Sequence, residues 1–230
     1  MSEIAEGLDK IRARVAAACS AAGRESDEVA VIAVSKRHPV EVVREAFAAG
    51  QAIFGESRVQ ELLAKVEEVP TGVRWHFIGH LQKNKIRRLL PCAELLHGVD
   101  SLDLAESIDR IADEEGWRPR VLLEVNVSGE SSKHGFAPDD LRRDLDALLG
   151  LGRLEIEGLM TLAPYAEDAE AARPYFRALR ELRDEIAAET GLPFGTLSMG
   201  MSGDYEVAIS EGATMVRVGT AIFGERPTAK

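Results

Sequence analysis

Apolar residues at the start of the chain recur at helical spacing. Ile4, Leu8, Ile11 and Val15 share one face, and Gly23 supplies a stop. The period then changes. Val29-Ala-Val-Ile-Ala-Val34 is a continuous apolar run of strand length, and a strand without polar alternation is buried on both faces, as in parallel sheets. It opens a repeating alternation. A helix is predicted from Pro39 to Ala49 with Gly50 ending it, then a short strand Ala52–Phe54 and a helix from Val59 to Glu68. Trp75–Ile78 is the third strand, followed by a basic helix near Lys83–Leu90, and Glu94–Val99 is the fourth. Ser101 caps a helix with the stripe Leu102, Ala105, Ile108 and Ile111, closed by Gly116. Val121–Asn126 and a helix Pro138–Leu149 come next, then Ile156–Met160 and a long helix burying Ala172, Phe176, Leu179, Leu182 and Ile186. Thr196–Ser198–Met199, a helix Tyr205–Ser210 and Thr214–Gly219 complete the series. Eight strands alternating with helices predict an α/β fold, a single parallel (β/α)8 TIM-type barrel with an extra N-terminal helix. One domain is expected over residues 1–230, with the helix in 1–25 and the barrel in 29–224. The extra helix should cover the barrel's bottom or side.

In such a barrel the chemistry sits where the strands end. The first ends in Ser35-Lys36, the second in Gly55-Glu56-Ser57, the third in Gly79-His80, the fourth in Asp100, the fifth in Asn126 and the sixth in Met160-Thr161. The seventh runs into Ser198-Met-Gly-Met-Ser-Gly-Asp204 and the eighth ends Arg217-Val-Gly-Thr220. Alternation with period two sends Lys36 to the same side as Ile32 and Val34. An ammonium in an apolar barrel mouth is desolvated, which lowers its pKa, and a neutral amine is a nucleophile suited to a Schiff base with an aldehyde. The structural alternative is a lysine that reaches solvent or pairs with a carboxylate such as Glu56. Ser202 and Gly203 stand before the helix starting at Tyr205, where backbone N–H groups and a hydroxyl suit a phosphate. Gly219 and Thr220 offer a second close backbone approach, although glycines at both places also serve plain turns. Arg217 faces the same side as Gly219, and an inward arginine needs an acceptor, a carboxylate or a ring nitrogen. Lysine for an aldehyde, small and hydroxyl residues for a phosphate, and arginine for a ring nitrogen together match pyridoxal 5′-phosphate (PLP).

Composition narrows the classes. Hydrophobic residues make up 45% and charged residues 29%, as in a globular chain rather than a disordered polyelectrolyte. The net charge of −11 argues against nucleic acid as the main partner. No apolar run approaches the ~20 residues needed to span a bilayer, and acids among the first residues exclude a signal-peptide core. Only Cys19 and Cys92 occur, with no C-x-x-C, which points to a reducing, cytoplasmic setting.

Several segments resemble one known family. They are Val34-Ser35-Lys36, Phe54-Gly55-Glu56 with Val59-Gln60-Glu61, Trp75-His-Phe-Ile-Gly-His-Leu-Gln82 with Asn84-Lys85, Gly158-Leu-Met160, residues 198–204 and Val216–Thr220. In this order they resemble the pyridoxal phosphate homeostasis protein family, whose fold is similar to the barrel domain of alanine racemase. The resemblance implies a PLP site in which Lys36 forms the Schiff base, Ser202, Gly203, Gly219 and Thr220 hold the phosphate, Arg217 faces the pyridine nitrogen, and Met160 belongs to the pocket. It implies a carrier that limits the free aldehyde without turnover, with PLP-dependent apoenzymes as recipients. Where the family usually has asparagine this chain has Ser57, whose shorter side chain reaches less far.

An arginine stays protonated and only donates, so a ring nitrogen facing Arg217 is unprotonated and a poor electron sink. A racemase also needs an opposing acid/base. Tyr165 and Tyr205 are the candidates in the barrel, both read first as packing residues with surface hydroxyls. The chain ends at Lys230, so no further domain is expected to supply one, and a monomer is expected. A small PLP-dependent amino-acid racemase is the rival reading, and a PLP-free barrel acting on sugar phosphates a third. No metal is expected: His76 and His80 share a strand face, but no third ligand has matching local spacing. Lys83, Lys85, Arg87 and Arg88 read as a solvated helix face, with a second anionic site as the minority reading. Residues 128–135 read as a polar loop able to act as a lid, and Cys92 as packing.

Overall fold

The computed structural model describes residues 2–130 and 133–225. Helix α1 (Glu3–Ala21) precedes β1 (Ala30–Val34), α2 (Val40–Ala48), β2 (Ile53–Glu56), α3 (Val59–Val66), β3 (Arg74–Phe77), α4 (Ile86–Leu89) and β4 (Leu95–Val99). Then follow α5 (Leu102–Glu115), β5 (Arg120–Glu124), α6 (Pro138–Leu149), β6 (Glu155–Met160), α7 (Arg173–Thr190), β7 (Thr196–Met201), α8 (Tyr205–Ser210), β8 (Met215–Val218) and α9 (Thr220–Phe223). The eight strands form one closed parallel barrel in sequence order, sealed by β1 against β8 with Ile32 opposite Arg217. No helix among the described residues is long and apolar enough to cross a membrane.

The boundaries follow local chemistry. Ser101 accepts from the Leu104 N–H at the start of α5, and Gly116 ends it in the left-handed region, where a side chain would be strained. Pro138 opens α6 at a position whose N–H needs no partner. The basic segment after β3 is shorter than its pattern predicts: a 3-10 turn over Lys83–Lys85 leads into the single turn of α4.

Strand alternation sorts side chains into two layers. Outward residues such as Ala33, Phe54, Phe77, Leu123, Leu197 and Val216 join Val43, Leu62, Ile108, Leu145 and Phe176 of the helices in the main core. Leu95, Leu122 and Met160 form a separate small apolar cluster with Met215 against it. Among the other inward positions several are polar, with His76, His97, Ser198 and Arg217 all buried. Helix α1 buries Leu8, Ile11 and Val15 and packs against α2, α8 and α9, so it covers the side of the barrel next to the closing seam. Gly7 is needed there, because a Cβ would stand 3.0 Å from the Ile222 carbonyl oxygen.

Candidate functional site

Lys36 emerges from the end of β1 one alternation step beyond Val34, and both line a cleft of about 580 Å³ at the C-terminal mouth. The same cleft is lined by Arg217, Gly219 and Thr220 from β8 and its loop, and by Ser202, Gly203 and Asp204 from the loop after β7. Leu162 to Ala166, Ile78 and Lys133 close the other walls. The structure therefore brings together six of the seven residues that the sequence nominates. Met160 is buried in the interior cluster with Leu95 and Leu122 and is not among the residues that line the cleft.

The loop after β7 is built to hold its shape. Gly200 has φ of +93°, and a Cβ there would fall 2.6 Å from that of Ala208. The Asp204 carboxylate accepts from the Met201 N–H at 2.6 Å, closing the turn, and its burial raises its pKa. Ser202 Oγ accepts from the Gly219 N–H at 3.3 Å, which ties the loop after β7 to the one after β8. A Cβ on Gly219 would stand 3.2 Å from the Val34 carbonyl oxygen, so glycine allows β8 to close tightly on β1. Around Gly203 the space is open. Helix α9, which the sequence pattern missed, begins at Thr220.

Arg217 is 4% exposed. Two of its N–H groups donate, to Ser198 Oγ at 2.5 Å and to the Thr161 carbonyl at 2.8 Å. The acceptors are thus a hydroxyl and a peptide oxygen, with Glu124 and Asp204 adding attraction over longer range. Burial lowers the guanidinium pKa to about 10, against that attraction, and leaves it a cation at neutral pH. Behind it runs a chain that sequence reasoning did not find: Ser198 Oγ to His97 Nδ1 at 2.9 Å, then His97 Nε2 to His76 Nδ1 at 3.0 Å. Burial pushes His76 down to about 4 and His97 well below its usual value, so both imidazoles are neutral. Ser198 donating to His97, and His97 donating to His76, satisfies every link with neutral rings. The chain holds Arg217 at a fixed height in the barrel.

A second buried network fixes the end of β1. Lys65 of α3 donates to Glu56 Oε1 at 2.5 Å and to the Ser35 carbonyl at 2.8 Å, while the Ser35 hydroxyl donates to Glu56 at 2.7 Å. Glu56, offered by the sequence as a partner for Lys36, points to the helix layer instead, opposite in alternation to Gly55. Its burial raises its pKa against the pull of Lys65. The backbone of Ser57 crowds Gly79, and Ser57 is not part of the cleft lining.

The Tyr165 side chain is 93% exposed at the rim of the cleft, whereas Tyr205 is 1% exposed, with Arg14 over its ring at 5.4 Å. Tyr205 thus has a buried rather than a surface hydroxyl and faces α1, not the cleft. Lys83 pairs with Asp103, and Arg87 with Glu114 and Glu115, so acids of α5 neutralise part of the basic patch. The lid expected over 128–135 includes residues 131 and 132, outside the described set. Its described ends are anchored, since Asn126 Oδ1 accepts from Ser128 and Gly129 and the Asn126 N–H donates to Phe136. Cys92 is half-buried and Cys19 buried, and burial raises both thiol pKa values.

A family described as the alanine racemase N-terminal domain matches residues 7–227. The pyridoxal phosphate homeostasis protein of Aquifex aeolicus (strain VF5) is 45% identical over 222 residues, covering 96% of this chain and 97% of the relative. The chain belongs to the pyridoxal phosphate homeostasis protein family. Among solved structures, PipY of Synechococcus elongatus PCC7942 with PLP bound superposes with a TM-score of 0.85 at 40% identity, over 96% of this chain and 100% of that one. Alanine racemase of Clostridium difficile 630 superposes with a TM-score of 0.75 at 17% identity, over 99% of this chain and 58% of that one, which shows the shared barrel alone. Lys36, Ser202, Arg217, Gly219 and Thr220, which the resemblance leads one to expect at the site, all line the cleft.

Proposed function

We propose that the cleft binds PLP and that the protein serves PLP homeostasis as a carrier. The observation that carries this reading is the convergence of Lys36, Arg217, Ser202, Gly203, Gly219 and Thr220 on one cleft of about 580 Å³. The donor set suits the group: an amine for the aldehyde, hydroxyls and backbone N–H groups of two glycine-containing loops for a phosphate, and a fixed cation for a neutral ring nitrogen. In this reading Lys36 holds the aldehyde reversibly through a Schiff base, Ser202, Gly203, Gly219 and Thr220 bind the phosphate, and Arg217 directs a remaining N–H at the ring. When bound, PLP supplies an electrophilic carbonyl and, with a protonated ring, an electron sink. Arg217, a cation that only donates and is held by Ser198 and Thr161, keeps that ring unprotonated. Tyr205 is turned away, so it offers no opposing acid/base. These features favour storage and delivery to PLP-dependent apoenzymes over turnover. A reducing, cytoplasmic setting is the simplest reading of the cysteine content.

Tyr165, exposed at the cleft rim, is the observation that supports the rival, an amino-acid racemase. Two measurements on the PLP-loaded protein separate the readings. Supplied amino acids in D2O should show no exchange of the α-hydrogen above that of free PLP, and exchange abolished by Tyr165→Phe would establish the racemase instead. PLP should also bind at least about 10-fold more tightly than pyridoxal, and Ser202→Ala should narrow that ratio. Equal affinity for the two vitamers would remove the phosphate site.

A further inference from the structure

Outside the cleft, three loop ends meet at one point of the barrel mouth. His80 follows β3, Asp100 follows β4 and His134 lies in the loop after β5. Asp100 Oδ2 is 2.8 Å from His80 Nδ1 and 3.7 Å from His134 Nδ1. The two imidazole rings are stacked, 4.1 Å between centroids and 15° between planes, and each directs its Nδ1 to the same carboxylate oxygen. The Asp100 side chain is 9% exposed, so it is held, while both rings stay open to solvent. The sequence hid this cluster, because its members are 20 and 34 residues apart and only His76 stood at local spacing from His80. His76 belongs instead to the interior chain behind Arg217.

We propose that His80, Asp100 and His134 form a binding site for a borderline first-row divalent ion of the Zn2+ or Co2+ type. Two ligands each about 2.1 Å from one ion, at tetrahedral or octahedral angles, stand about 3.0–3.4 Å apart. The observed separations of 2.8 and 3.7 Å bracket that range, and loading requires the two rings to turn out of their stack so that each nitrogen lone pair, which lies in its ring plane, meets the ion. Two imidazoles and one carboxylate suit such an ion better than Mg2+ or Ca2+, which take oxygen ligands, and leave positions for water. An anion is excluded by the carboxylate at the centre. A simple His–Asp hydrogen bond explains His80 but not the approach of His134 Nδ1 to the same carboxylate oxygen. The neighbouring Lys133 ammonium, which would repel a cation, is engaged by Glu130 at 3.2 Å and by the Leu162 carbonyl at 3.3 Å. The site does not depend on the reading of the cleft.

The test uses untagged full-length protein. Zn2+ is titrated by calorimetry and Co2+ by its visible d–d absorption. One ion per chain should bind with Kd at or below about 10 μM, and Co2+ should give a band of protein-bound, low-symmetry coordination. His134→Ala and Asp100→Asn should each weaken binding at least about 10-fold, with the metal-free unfolding midpoint of His134→Ala unchanged. His134 is exposed, so its variant folds even where the Asp100 variant does not. Absence of binding up to about 1 mM, or binding that persists unaltered in His134→Ala, overturns the proposal.

Discussion

At the scale of single residues, the site rests on charges stripped of water. Glu124 lies inside the barrel, and burial together with the charge of Asp100 raises its pKa to about 7, against the attraction of Arg217. An unfolded glutamate releases its proton near its usual value. Folding is therefore favoured most at low pH, and this contribution is lost as pH rises from about 4.5 to about 7. Glu124→Gln lacks the loss. The unfolding free energy of that variant, relative to the parent, should rise by up to about 3 kcal/mol between pH 4 and pH 8 in denaturant titrations. A pH-independent difference would contradict the burial argument. His76 and His97 act oppositely. Their folded pKa values lie below the unfolded one, so their contribution is present above about 6.5 and is lost as pH falls. Lys36 and Arg217 were legible in the sequence because strand period two fixes which side each faces. The chain Ser198–His97–His76 was not, because its links join residues 101 and 21 positions apart. The burial of Met160 among Leu95 and Leu122 was not legible, because a strand-end position does not say how deep the side chain sits.

At the scale of elements, the tip of β1 is held by α3. Removing Lys65 leaves the Glu56 carboxylate buried without its cation, which costs about 3–5 kcal/mol. Lys65→Met should therefore unfold well below the parent temperature and should also weaken PLP binding, because the Ser35 carbonyl next to Lys36 loses its anchor. The double variant Glu56→Leu with Lys65→Met should recover most of the stability but not the PLP affinity, since Ser35 remains untethered. Equal recovery of both would show that the pair contributes to folding alone. The strands were legible as apolar runs bounded by Gly, Pro and capping residues, and β6, α6 and α8 lie within a residue of expectation. Helix α9 escaped notice because four residues are too short for a period, and it is stabilised by packing of α1 rather than by its own pattern. The Lys65–Glu56 pair escaped because charge pattern on one helix does not reveal a partner on a strand.

At the scale of the molecule, closure of β8 onto β1 is what makes a site from residues near both ends of the chain. Lys36 and Arg217 are 181 positions apart, yet Ile32 and Arg217 are register partners. The fold was legible because eight short apolar runs with helical spacers fit few other architectures. The assignment of the cleft followed from where the loops after β7 and β8 must meet β1. What stayed hidden was the grouping of His80, Asp100 and His134, since distances between loops at the mouth depend on the whole barrel. The most direct test of the central claim is chemical. Protein incubated with PLP, reduced with borohydride and digested should carry the reduced cofactor on the peptide containing Lys36. The absorbance near about 420 nm, which reports an imine, should vanish in Lys36→Ala. Label found on Lys133 or on no lysine, or an unchanged spectrum in Lys36→Ala, would contradict the account.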